Sequence, residues 1–469
     1  MGNNNLSRRD LLRNAALGSI GLSLLGCNEV SAKDSNSKLN ELIKGTAPKA
    51  KSMIGVPFEK HETVRIGIIG TGLRGRSVLN EFVNVPNVQI TALCDIAHKK
   101  ADKAKAIVTK AGLPEPAVIV NGERGFETLV KRDDVDYVYI ATPWEWHTPQ
   151  ALAAMKNGKH VGCEVPIGYT LKDLWALVDT SEKTRKHCMM LENCCYDYDE
   201  LLVLNLVRAG LFGTIVHGEG AYNHDLRAIL FETKDEGLWR RRHHTLRDSN
   251  LYPTHGLGPV ANYMDINRGD KFEYMVAMSS GSYGLQEYRA EHLEKDDPRL
   301  RENYVCGDYN TNLIKTNKGR TIMVQHNVTS PRPYDRINLL QGTKGIFRDY
   351  PSRIYFESDK PDHKWKSIDD YKEKYEHELW RVVGEQARKL GGHGGMDYLM
   401  CWRLVQCMRE GLVPDMDVYD AAAWSAPGPL SEISAAKGSA PIKFPDFTRG
   451  GWIKQRDSIP TNVNAKIDS

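Results

Sequence analysis

The sequence predicts an α/β protein: a doubly wound parallel sheet in the N-terminal half, then an α+β unit on an open, mostly antiparallel sheet. Three observations predict it. Short apolar runs alternate with helical stretches between Val64 and Leu191. A glycine-rich turn joins the first run to the first helix, and beyond residue 193 the alternation gives way to a hairpin pattern. Strands alternating with helices at this spacing place helices on both faces of a parallel sheet.

Each element has its own warrant. Val64 to Ile69 is almost wholly apolar, as a strand buried on both faces must be. A helix follows the turn and runs through Phe82. Val88 to Leu93 is the next strand, Lys99 to Ala111 an Ala- and Lys-rich helix, Ala117 to Val120 a short strand and Val135 to Ile140 another. Gln150 to Asn157 is a helix ended by Gly158; Lys159 to Cys163, Leu171 to Lys186 and Cys188 to Leu191 continue as strand, helix and strand. In the second half Glu200 to Ala209 is helical, and Ile215 to Tyr222, Phe272 to Ser279 and Arg353 to Glu357 are strands. Thr311 to Thr316 and Arg320 to His326 flank the turn Asn317-Lys318-Gly319 as a hairpin.

The N-terminus reads as a targeting segment. Arg8 and Arg9 stand in a twin-arginine export pattern, Ser7 to Arg13. The apolar stretch Ala15 to Leu25 is too short for a permanent span, and Leu24-Leu25-Gly26-Cys27 resembles a bacterial lipobox. The expected division is a signal over 1–27, a tether and arm over 28–62, a cofactor-binding domain over 63–192 and a substrate domain over 193–469. An export route for folded proteins, with a lipid on Cys27 holding the chain to the cell membrane, follows from it. Lys and Arg number 63 against 60 Asp and Glu, a net charge of +3, which gives no footprint for nucleic acid. No CxxC pair and no HExxH pattern occurs, so neither a disulfide framework nor a metal is expected, and the cysteines read as small buried hydrophobes.

Gly70-Thr71-Gly72-Leu73-Arg74-Gly75 is a G-x-G-x-x-G run between a strand and a helix, the context that makes it a Rossmann dinucleotide site. Gly70 permits the tight turn, Gly72 lets backbone N–H groups approach a pyrophosphate, and the helix dipole favours its charge. Asp95 ends the second strand, where a carboxylate accepts ribose hydroxyls and repels a 2′-phosphate; this favours NAD. An exported enzyme must load that cofactor beforehand and keep it tightly bound.

The segments Ala141 to His147 (ATPWEWH), read as a loop, and Cys163 to Pro166 (CEVP) resemble those of the Gfo/Idh/MocA oxidoreductases. One position departs: Val165 stands where that family commonly has a lysine that moves the hydroxyl proton. The wider set is similar to glycoside hydrolase family 109, NAD-dependent α-N-acetylgalactosaminidases. It comprises Trp144 to His147, Glu164 to Pro166, Asn193, Gly218 to Tyr222, Trp239-Arg240, Leu251 to Pro259, Ser330 to Tyr334 and Gly391 to Asp397.

By that resemblance NAD contacts Leu73, Arg74, Asp95, Trp144, Glu145, Trp146, His147, Glu164, Val165 and Asn193. The sugar contacts Tyr222, Arg240, Tyr252, Pro253, Thr254, His255 and Tyr334. His255, Tyr222 and Tyr334 are the candidate catalytic groups, since imidazole titrates near neutrality and phenols donate to oxyanions. Which is base and which acid stays open. Of the run Arg240 to His244 only Arg240 is assigned to the site; His243 and His244 read as a solvated loop face, and His393 as a site residue or a turn alike. The route the resemblance implies is transient oxidation at C3, loss of the C2 proton, departure of the C1 group, water addition and re-reduction, so the partner is a glycan ending in α-linked N-acetylgalactosamine. Two alternatives stand: an exported sugar oxidoreductase that releases a keto-sugar, and a glycan-binding lipoprotein without turnover. The open sheet offers a face for a homodimer.

Overall fold

The computed structural model describes residues 32–464 apart from 46, 49, 360–362 and 462. The twin-arginine segment and Cys27 lie outside the described residues.

Six parallel strands form the first sheet: β1 (Val64–Ile69), β2 (Val88–Cys94), β3 (Ala117–Ile119), β4 (Tyr137–Ile140), β5 (His160–Cys163) and β6 (Cys188–Met190). Their order is β3-β2-β1-β4-β5-β6. The direction of winding reverses between β1 and β4, which opens a crevice at the carboxyl ends of those strands. β1 and β4 are buried along nearly their whole length, as strands covered by helices on both sides must be.

Eight strands form the second sheet: β7 (Ile215–Asn223), β8 (Phe272–Ser279), β9 (Asn310–Thr316), β10 (Thr321–Asn327), β11 (Leu339–Gly342), β12 (Gly345–Arg348), β13 (Arg353–Phe356) and β14 (Ile442–Lys443). Their order is β13-β12-β11-β7-β10-β9-β8-β14. Every pairing in it is antiparallel except β7 with β10. Burial alternates along β9 and β10, so one face packs on helices and the other is open.

Three expectations need correction. Trp144 to His147 are not in a loop: the helix begins at Trp144 and runs to Lys156. The helix expected from Gln150 therefore starts six residues earlier, capped by Pro143 and with Pro149 inside it. The tether region contains a helix, Ala32–Lys44, and its later part is pinned to the fold, with Met53 and Phe58 buried. His243 and His244 are buried on the helix Arg240–Leu246. The eight described cysteines are buried and free.

Candidate active site

The cofactor side is built by backbone. Gly70 has φ 88°, outside the range of ordinary L-residues, and a Cβ on Gly75 would stand 1.9 Å from the Gly70 carbonyl oxygen. A Cβ on Gly72 would meet nothing within 4 Å, so the space beside the turn is open for the pyrophosphate expected there. The helix Leu73–Phe82 has no side-chain cap and no acid in its first turn, so its N–H groups are left for an anion. Asp95 is held at the rim, its Oδ2 accepting from the Thr71 N–H at 2.7 Å and the Thr71 hydroxyl at 2.9 Å. Its Oδ1 accepts from the Ala97 N–H at 2.9 Å. The cradle, the uncapped helix and this carboxylate fit NAD.

The other expected cofactor residues divide. Leu73 is exposed at the turn. Arg74 is turned inward, donating from Nε to Glu164 Oε1 at 2.8 Å and from Nη1 to Asp397 Oδ2 at 2.6 Å. Asn193 donates to Asp397 Oδ1 at 2.7 Å, and Tyr139 donates to Glu164 at 2.8 Å. Burial works against the charge of Arg74, but Glu164 and Asp397 outweigh it and push its pKa up. Val165 is buried beside them. The His147 ring nitrogens each lie 2.8 Å from a backbone carbonyl, of Pro166 and of Thr142, so this side chain braces the loops that frame the crevice. Trp146 packs edge-on to Phe126, and Glu145 lies 3.9 Å from His243. His393 lies 2.7 Å from Asp397 Oδ2, a neighbour of the cofactor turn.

The residues expected to contact the sugar gather around Tyr222 on β7. The helix Thr254–Tyr263 can approach β7 because both carry glycine: a Cβ on Gly220 would stand 2.2 Å from the Gly256 carbonyl oxygen. That contact sets His255 5.5 Å from Tyr222, ring centre to ring centre. Tyr252 lies 4.6 Å from Tyr222 and 4.9 Å from His255; Tyr334 lies 6.1 Å from Tyr222. Pro253 and Thr254 are buried at the start of that helix and set the spacing of Tyr252 and His255. The Arg240 guanidinium sits 4.9 Å from the Tyr252 ring and 5.8 Å from that of Tyr222. Arg240 donates to Glu236 at 2.6 Å, while its Nη2 is buried without a partner, a donor that a bound ligand would satisfy. Burial raises the pKa of the Tyr222 phenol.

Several residues here escaped the sequence reading. Glu192, wholly buried at the end of the parallel sheet, holds His255 Nδ1 at 2.5 Å from its Oε1. Burial disfavours that carboxylate, but the His255 charge and hydrogen bond, with help from the Cys194 N–H, hold its pKa below the ordinary range. Its place at the carboxyl end of a strand was the available signal. Glu192, Cys194 and His255 bring three potential ligand atoms within 4.8 Å of one another, an arrangement spread over too much sequence for a spacing motif to show. His224 lies with Nδ1 3.2 Å from the Tyr222 hydroxyl; two residues along an extended chain share a face, which was its signal. Asp397 and Trp239 stood in the family-like segments without an assigned role; Asp397 binds Arg74 and Trp239 packs on Trp144.

The two sides meet at one residue. Trp144, from the cofactor domain, lies 5.7 Å from Tyr252, 5.3 Å from the Arg240 guanidinium and 4.8 Å from His243.

Comparison with known proteins agrees with this division. Residues 64–192 match the family described as "Oxidoreductase family, NAD-binding Rossmann fold", and residues 196–454 match "Glycosyl hydrolase 109, C-terminal domain". A "Glycosyl hydrolase family 109 protein" of Solibacter usitatus is 58% identical over 448 residues, 95% of this chain and 98% of that one. An "Alpha-N-acetylgalactosaminidase" of Shewanella oneidensis is 46% identical over 456 residues, 96% of this chain and 97% of that one. Among solved structures, levoglucosan dehydrogenase in complex with NADH and levoglucosan superposes with a TM-score of 0.63 at 17% identity, covering 82% of this chain and 100% of that one, a likeness of fold alone. A nucleotide cradle joined through Trp144 to an arginine–tyrosine–histidine cluster, matched nearly end to end by such relatives, makes this chain a member of glycosyl hydrolase family 109.

Proposed function

We propose that this protein is an exported, lipid-anchored α-N-acetylgalactosaminidase that keeps NAD tightly bound and does not consume it. The single observation that carries this reading is a contact: Trp144 of the cofactor domain stacks 5.7 Å from Tyr252 of the sugar cluster. A sugar held by that cluster therefore lies against the nicotinamide crevice. The name of the Shewanella oneidensis relative supports the substrate.

When bound, NAD supplies a reversible hydride acceptor for C3 of the sugar, and the resulting ketone acidifies the neighbouring C2–H. The protein's own groups do the rest. His255, backed by Glu192, takes the C3 hydroxyl proton that a lysine at the position of Val165 would otherwise move. The free Nη2 of Arg240 holds a sugar oxygen, and the tyrosines stack on and hydrogen-bond to the ring. The nearby acids, Glu192 and Glu236, are bound to His255 and Arg240, so neither is offered as an ordinary glycosidase carboxylate.

The test is incubation of purified protein with an aryl α-N-acetylgalactosaminide and no added NAD. Aglycone release without accumulating NADH is expected; NADH growing in step with product indicates the keto-sugar oxidoreductase, and binding without turnover indicates the lectin-like alternative. Export rests on Arg8-Arg9 and anchoring on Leu24 to Cys27. Cys27→Ser should free the protein from membranes, as fractionation would show. The open sheet face, with Tyr274, Met278 and Leu313 exposed, supports a homodimer, testable by light scattering.

A further inference from the structure

We propose that His224, acting through Tyr222, accepts the proton that leaves C2 of the sugar. The inference rests on the reading above and assigns a residue that the reading leaves out.

Stereochemistry divides the site. In the chair of an α-linked galactopyranoside, the C3–H and C1–O bonds are axial on one face of the ring, and the C2–H bond is axial on the other. The hydride acceptor and the C2 base therefore stand on opposite sides of the sugar. The cofactor side is fixed by the Gly70–Gly75 turn, Glu164 and Asn193, at the carboxyl ends of the parallel strands. Glu192 ends the same sheet and holds His255 from that side. The opposite side of the sugar then falls to the second sheet, where Tyr222 stands on β7 and His224 directly follows the strand.

The pair is built for proton movement. The Tyr222 hydroxyl lies 3.2 Å from His224 Nδ1. His224 is half-buried and packs edge-on to Tyr334 at 5.0 Å. Asp225, Tyr222, Arg240, Glu236, His255 and Tyr334 surround it. Burial first, and Arg240 second, lower its pKa, which keeps the ring neutral and able to accept. Arg240 beside the Tyr222 ring favours negative charge on the phenol oxygen during transfer.

The step balances. The C2–H bond breaks as its proton passes to Tyr222 Oη, while the phenol proton passes to His224 Nδ1. The C2 electron pair forms the C1=C2 bond beside the C3 ketone as the C1–O bond breaks, and the departing alkoxide takes a proton from water. When water adds at C1, the relay runs backwards and returns the proton to C2.

The experiment uses the NAD-loaded full chain with His224→Ala, His224→Gln and Tyr222→Phe, each checked for unchanged circular dichroism and NAD content. Three readouts are taken with an aryl α-N-acetylgalactosaminide. They are enzyme-bound NADH on mixing, deuterium uptake at C2 from D2O by NMR, and the isotope effect of a C2-deuterated substrate on kcat/KM. In both His224 variants, C2 exchange and aglycone release should slow by about 10²-fold, the low end for a positioned proton acceptor. NADH should still form on mixing, and the isotope effect should grow. Tyr222→Phe should slow exchange at least as much. The proposal is overturned if His224→Ala leaves exchange unchanged, if NADH formation falls in step with release while the isotope effect vanishes, or if Tyr222→Phe retains exchange that His224→Ala loses. A wild-type enzyme that releases aglycone with no deuterium at C2 would instead sink the elimination route itself, and this proposal with it.

Discussion

Arg240 is a buried cation with one bonded end and one idle end, and under the proposed function that asymmetry sets its role. Its ion pair with Glu236 and three aromatic neighbours fix the guanidinium, and Nη2 waits for an acceptor. Arg240→Gln should lower kcat/KM by about 10²–10³-fold, the scale for removing a preorganised donor. NAD content measured by absorbance should not change. Under the proposed function Glu192 works at one remove, through His255. Glu192→Gln should reduce kcat roughly 10²-fold by weakening proton transfer at the imidazole. Its carboxylate pKa is depressed, so its contribution to stability is present above the ordinary carboxylate range and is lost as pH falls through the depressed value. The gap in melting temperature between wild type and Glu192→Gln should therefore narrow on acidification from neutral pH, as a calorimetric pH series would show.

At the scale of elements, close approach decides what can meet. His255 reaches Tyr222 only because Gly256 lies on β7: a Cβ there would stand 2.2 Å from the Ala221 nitrogen. Gly256→Ala should push the helix Thr254–Tyr263 away, costing about 1–3 kcal/mol of stability by overpacking. Activity should fall more than NAD content, since the cofactor turn lies elsewhere; denaturant titration and cofactor assay together check this. The same scale explains what the sequence could show. The glycine turn was legible because its chemistry is local: strand, turn and helix are contiguous from Val64 to Phe82. Glu192 with His255 and Asn193 with Asp397 were not, since 63 and 204 residues separate the partners. His243 and His244 were misread although the signal existed. Residues 240, 243 and 244 fall on one helical face, and that face is the buried one. The basic run hid a period that the burial of Arg240, His243 and His244 makes plain.

At the scale of the molecule, two halves must act as one, and Asp397 joins them. It opens the helix Met396–Glu410 of the second half, yet it accepts from Arg74 of the cofactor turn at 2.6 Å and 3.2 Å, and from Asn193 at 2.7 Å. Arg74 lies within the Gly70–Gly75 turn expected to cradle the pyrophosphate, so this ion pair ties the second half of the chain to that turn. Removing one member of a buried pair strands the other: Asp397→Ala leaves Arg74 with Glu164 alone and should cost about 3–5 kcal/mol. Asp397→Asn keeps the shape and an acceptor for Arg74 and should cost less. If the link governs both stability and grip, the two variants should lose melting temperature and NAD in the same order. NAD per protein would be measured after size-exclusion chromatography without added cofactor. A variant that melts early yet elutes fully loaded would show that the turn holds the dinucleotide by itself. Were the chain exported as proposed, it would carry its cofactor with it, and such a tie would keep the dinucleotide in place.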